Sequence, residues 1–261
     1  MVRSAAGNTM RIAGEKLPED SMKITVRGDG QWSAMPCLFD QATSLTEALA
    51  GYYDNATTGD IIKAHDCFAT FSSNQRWEGN LTALHPGEGY LFRRTAPGTV
   101  TIPFYRQPAS GAPRRVTANA SENREASAEN RYANRRAATN MTIIARIEGL
   151  DISTARAIEV FVGDEPAAVA EPLTIDGETY YFLTVQSDLA GKALRFESDG
   201  EVLMPADGAI QYAADAHAGS LTAPIVLTPT GETGVYKLFE NNHIVIIRNN
   251  EKYDVTGKKL Q

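Results

Sequence analysis

Between Ser44 and Phe92 the chain never runs far without a break. It reads SLTEALAGYYDNATTGDIIKAHDCFATFSSNQRWEGNLTALHPGEGYLF. Short apolar runs are cut by Gly59-Asp60, by Ser72-Ser73-Asn74-Gln75 and by Pro86-Gly87-Glu88-Gly89. Runs of this length are strands, and the breaks are turns. One helix is expected. Ser44-Leu45-Thr46-Glu47 is a capping box, in which the Ser44 hydroxyl accepts from the Glu47 amide. Leu45, Ala48 and Leu49 give it an apolar face, and Gly51 is its expected stop. A helix of about two turns cannot stand alone, so it must pack on a sheet.

The same punctuation extends along the chain. Met22 to Val26 and Gln31 to Phe39 read as two strands joined by a hairpin turn at Gly28-Asp29-Gly30. The embedded Arg27-Gly28-Asp29 is the tripeptide that integrins recognise, but a turn explains it without a ligand. Thr99 to Phe104 closes a small α+β module over residues 8–105. Residues 106–138 are rich in Ala, Asn, Ser and Arg and have almost no large apolar side chains. Such a segment cannot offset its ordering entropy and reads as a flexible linker. From Met141 alternation returns at Met141, Ile143, Ala145 and Ile147, and again at Ile158, Val160 and Val162. Asp176-Gly177 and Asp199-Gly200 are hairpin signals, and Leu221 to Leu227 reads as the last strand. This makes residues 139–229 an antiparallel β-sandwich. Residues 230–261 form a C-terminal hairpin or three-strand meander, with His243 to Arg248 as a strand between Asn241-Asn242 and Asn249-Asn250. The expected class is mainly β.

Charge is uneven. Residues 139–229 carry four basic against fourteen acidic side chains, whereas 106–138 carry seven basic against three acidic. An acidic face repels phosphates, so the globular parts are not expected to bind nucleic acid. No apolar run approaches a membrane span. The N-terminal stretch has no apolar signal core, and the chain is expected to be a fragment that begins after its signal. Cys37 and Cys67 lie in one module. A disulfide in an oxidising compartment and two buried thiols both remain open, because bridging needs a Cα separation that sequence does not give.

An ordered set of motifs carries a resemblance. Gln31-Trp32, the SLTEAL stretch 44–49, Gly59-Asp60-Ile61-Ile62-Lys63, Phe68-Ala69, Trp77-Glu78-Gly79-Asn80-Leu81 and Pro86-Gly87-Glu88-Gly89-Tyr90 together resemble a module of secreted and surface proteins of Bacteroides-type bacteria. Asn140-Met141-Thr142, Val160 to Glu165 and Tyr181 to Thr184 are similar to a β-sandwich that often follows it. Glu240 to Gly257 is similar to C-terminal endings of the same proteins, some related to sorting signals. The sequence departs from the pattern at Gln31, Ser33 and Ala34, where tryptophan and glycine are more usual, and in its Arg/Asn/Ala linker. The resemblance implies an extracellular or cell-surface location and a non-catalytic architecture. It carries over no catalytic residue.

The chemistry-bearing residues agree with a non-enzyme. Two positions apart on a strand, His65 and Cys67 would share a face and could touch, but a cysteine nucleophile also needs an orienting group and an oxyanion hole, which nothing signals. The four histidines have no zinc spacing, and Asp54 to Asp60 departs from the calcium-loop register, so no metal and no cofactor are expected. Trp32, Tyr52, Tyr53, Trp77 and Tyr90 are either core or an aromatic platform for a sugar ring. Trp77 and Tyr90 are the best-placed ligand candidates because turns flank them. Asn55, Asn80, Asn119 and Asn140 head N-glycosylation triplets, and Asp20-Ser21-Met22 resembles a bacterial O-glycosylation triplet. The expected function is adhesion, display or spacing at a cell surface, with a glycan or a host or cell-surface protein as partner. The alternative is an accessory carbohydrate-binding region of a larger secreted hydrolase.

Overall fold

The computed structural model describes residues 18, 21–104, 137–148, 156–230, 235–240, 243–248, 251–256 and 258–260. Its strands are β1 (Lys23–Val26), β2 (Trp32–Pro36), β3 (Thr43–Ser44), β4 (Ile61–Lys63), β5 (Phe68–Phe71), β6 (Trp77–Gly79), β7 (Ala83–Leu84), β8 (Gly89–Arg93) and β9 (Val100–Pro103) in the first module. The second contains β10 (Asn140–Ile147), β11 (Ile158–Val162), β12 (Glu165–Ala170), β13 (Leu173–Ile175), β14 (Glu178–Gln186), β15 (Leu194–Ser198), β16 (Glu201–Pro205), β17 (His217–Ala218) and β18 (Ile225–Pro229). Then come β19 (Val235–Glu240), β20 (His243–Arg248) and β21 (Glu251–Tyr253). The fold is mainly β, as the turn spacing predicts.

In the first module a five-stranded antiparallel sheet runs β2-β8-β4-β5-β6. Two small pairs, β1 with β9 and β3 with β7, complete it. The expected helix is shorter than its apolar face suggests. Helix α1 covers Leu45–Ala48, with the Ser44 hydroxyl accepting from the Glu47 amide at 3.3 Å, and a 3-10 turn follows at Ala50–Asn55. Pro103 explains the choice of residue at Gly51, because a Cβ there would sit 2.4 Å from the Pro103 ring. The expected β1–β2 hairpin is not formed. β1 pairs with β9 and β2 with β8, so the Gly28-Asp29-Gly30 turn is a corner between two sheets. Gly28 is packed against the Ala96 and Gly98 carbonyls, which accounts structurally for the glycine of the Arg27-Gly28-Asp29 tripeptide.

In the second module one sheet runs β12-β11-β15-β16-β18-β10-β14-β13, with β17 also on β10. It curls until β12 lies against β14, enclosing Ile143, Val160, Leu183, Phe196 and Leu227. The Asp176-Gly177 turn joins β13 to β14 with positive φ at both residues (51° and 88°), the two-residue hairpin geometry its sequence calls for. The last strand of the module is displaced from the expected Leu221–Leu227 to Ile225–Pro229, and runs parallel to β10. β19, β20 and β21 form the three-strand antiparallel meander expected at the C-terminus. The expected linker lies outside the described residues except for Ala137 and Ala138, as do Asp20, Asn119 and the two Asn-Asn turns.

Candidate functional site

The aromatic platform comes first. Tyr90 is 3% exposed, and its hydroxyl accepts from the His85 amide at 2.8 Å and donates to Glu88 at 2.9 Å. Burial raises its pKa, so it stays a neutral phenol. Trp77 is half-buried, edge-on to Phe71 and Phe92 at 5.3 and 5.8 Å. Both rings are used in the first core. Cys37 has a free thiol at the rim of the same core, so the Cys37–Cys67 bridge is not formed. Burial pushes the Cys37 thiol up, away from reactivity. Among the described residues no three His, Cys, Asp or Glu side chains cluster as metal ligands.

The chain concentrates its unusual groups elsewhere, on the motif Gly59 to Lys63. Each of its last four residues has a separate task. Asp60 is fully buried and accepts four hydrogen bonds: from Tyr52 Oη (2.7 Å), Thr57 N (2.8 Å), Thr95 N (2.7 Å) and Thr95 Oγ1 (2.7 Å). A buried carboxylate is tolerated when its lone pairs are filled in this way. Burial and the Asp60 bond raise the Tyr52 hydroxyl far above its ordinary pKa. Next, Ile62 enters the first core. Because strand residues alternate, Ile61 and Lys63 face the other way, toward the second module.

That second face is where the modules meet. Ile61 and Phe68 pack against Ile144, Ile175 and Phe182 in one apolar cluster, with Trp32, Leu173, Tyr180 and Leu221 around it. The Phe68 and Phe182 rings are 5.1 Å apart. Asn80 links across the cluster, accepting from the Phe68 amide at 2.9 Å and donating to the Phe182 carbonyl at 3.2 Å. Gly79 lets β6 come this close. Its φ is 148°, and a Cβ there would lie 2.4 Å from the Phe68 carbonyl and 3.1 Å from the Phe182 ring. At one end, Asn74 and Arg76 reach Asp176, the arginine at 2.9 Å.

At the other end stands Lys63, only 1% exposed. Its Nζ donates to Asn140 Oδ1 at 2.7 Å and to Asp215 Oδ1 at 2.8 Å, and lies 4.4 Å from the Trp32 ring centre. The Asn140 amide donates to the Ala64 and His65 carbonyls (3.2 and 3.0 Å), and Gln186 also donates to the His65 carbonyl (3.2 Å). Trp32 Nε1 donates to the Asp215 carbonyl at 3.0 Å. Burial lowers the Lys63 pKa, and the Asp215 carboxylate opposes that shift. His217 sits nearby, its Nδ1 2.9 Å from Thr142 Oγ1 and its ring edge-on to Phe68 at 6.0 Å. Burial, then the Arg93 charge, push its pKa down to about 4. A cleft of about 260 Å³ opens beside Lys63, lined by residues that include His65, Tyr90, Asn140 and Asp215.

The sequence marks Trp32 as an aromatic and Gly59 to Lys63 as a motif, but nothing in it joins Lys63, Asn140 and Asp215 into one cluster. The available signal was a strand ending on a lysine where a second apolar residue would fit the pattern. Comparison with protein-family models, with curated proteins and with solved structures returns no match.

Proposed function

We propose that the chain is a non-catalytic extracellular or cell-surface module of a bacterial protein that contributes adhesion, display or spacing. The observation that supports the spacing role is the junction itself. A shared apolar cluster flanked by polar contacts at both ends holds two β modules in one orientation. A flexible tether would need none of these contacts, whereas a spacer works by fixing the distance between what it joins. The motif resemblance supplies the bacterial surface setting. The accessory carbohydrate-binding reading has less support, since Tyr90 is buried and Trp77 packs into the core.

The location is tested by expressing the tagged protein in a Bacteroides-type bacterium and labelling intact cells with antibody. Labelling without lysis supports the reading, and signal that appears only after lysis overturns it. A glycan array addresses the other branch: saturable sugar binding abolished by Trp77→Ala would reverse the preference.

A further inference from the structure

We propose that Lys63 and Asn140 are the site of an intramolecular isopeptide bond that joins the two modules covalently. The two side chains are 1% and 7% exposed and come from strands 77 positions apart. Nζ lies 2.7 Å from Oδ1. A C=O bond is about 1.23 Å long, so Nζ is no more than about 3.9 Å from the carboxamide carbon. A slight rocking of the lysine brings it to the near-attack range of about 3–3.5 Å.

The surroundings supply the rest of the chemistry. The carboxamide is clamped through Nδ2 by the Ala64 and His65 carbonyls, which limits its rotation. The Trp32 ring covers the lysine head and its Nε1 anchors the Asp215 backbone. Asp215 Oδ1, at 2.8 Å from Nζ, is a proton acceptor in contact with the attacking atom. Burial favours the neutral, nucleophilic amine at Lys63.

The reaction balances without a co-reactant. The Nζ lone pair forms a bond to Asn140 Cγ, and the Cγ–Nδ2 bond breaks. Asp215 takes one proton from Nζ and passes it to the departing nitrogen, which leaves as ammonia. Nothing is oxidised or reduced. The product is an amide crosslink between β4 and β10 at the rim of the shared apolar cluster. This inference stands apart from the surface location proposed above, since the chemistry needs only the folded chain.

The test is the intact mass of the purified full chain under denaturing conditions, followed by peptide mapping. The wild type is expected to be lighter than its sequence by one ammonia and to yield a peptide linking Lys63 to Asn140. Lys63→Arg, whose guanidinium stays protonated and is no nucleophile, and Asp215→Ala are expected at full sequence mass. Wild-type protein at its full sequence mass overturns the proposal, whatever the variants do. So does loss of ammonia with no linked peptide, the signature of asparagine cyclisation. A linked peptide in Asp215→Ala would overturn the proton-relay role of Asp215.

Discussion

Acid should loosen the junction through His217. The imidazole packs beside Phe68 and Thr142 with the Arg93 charge nearby, so a proton on it is disfavoured by burial and again by that charge. Its pKa falls from 6.5 to about 4. For a base whose folded pKa is depressed, the unfolded chain binds the proton more tightly. The stabilising contribution is therefore complete above pH 6.5 and is lost as pH falls toward 4. A shift of this size corresponds to about 3 kcal/mol at 1.36 kcal/mol per unit. Because the ring is partly exposed, we expect about 2 kcal/mol. The assay is urea unfolding at a series of pH values from 7.5 to about 4, on wild type and on His217→Gln. Carboxylates titrate in both proteins, so the difference between the two curves isolates the histidine. The wild type should lose about 2 kcal/mol more than the variant across this range, since the loss follows the extra proton that the unfolded chain takes up. Parallel curves would refute the assignment of a buried neutral imidazole at the junction.

Two further perturbations address the motif and its neighbour. Asp60→Ala leaves Tyr52, Thr57 and Thr95 without their buried acceptor and should cost about 4 kcal/mol in urea unfolding, at roughly 1–3 kcal/mol per stranded donor with incomplete additivity; a cost near that of a surface change would contradict the hub. Gly79→Ala drives a methyl into the Phe68 carbonyl and the Phe182 ring and should lower stability by about 3 kcal/mol or more. Its hydrogen exchange should rise in both β6 and β14, and a rise confined to β6 would mean the modules are not packed there.

The strands were readable because each buries one apolar face. Met141, Ile143 and Ala145 announce the inner face of β10, and all three lie in the second core. The outer face was not readable. Asn140, Thr142, Thr184 and Gln186 have the composition of a solvated surface, yet all are buried. Asn140 and Gln186 find their partners on the other module, and no local pattern encodes a contact between residues 77 or 121 positions apart. Lys63 hid for the same reason, since a lysine is almost never fully buried unless paired, and its pair is 152 residues away. The β1–β9 pairing was missed because Gly28-Asp29-Gly30 is a good turn whether it closes a hairpin or rounds a corner. The turns themselves, set by φ preferences of one or two residues, were the most legible feature.

The central claim is that the two modules fold as one unit through the Ile61–Phe68–Phe182 cluster and the Lys63 network. Scanning calorimetry of wild type and Lys63→Ala tests it most directly. The account predicts a single transition covering both modules in the wild type, with a calorimetric enthalpy equal to the van't Hoff value, and a lower, broadened or split transition in the variant. Two separate transitions in the wild type, with neither moved by Lys63→Ala, would contradict it.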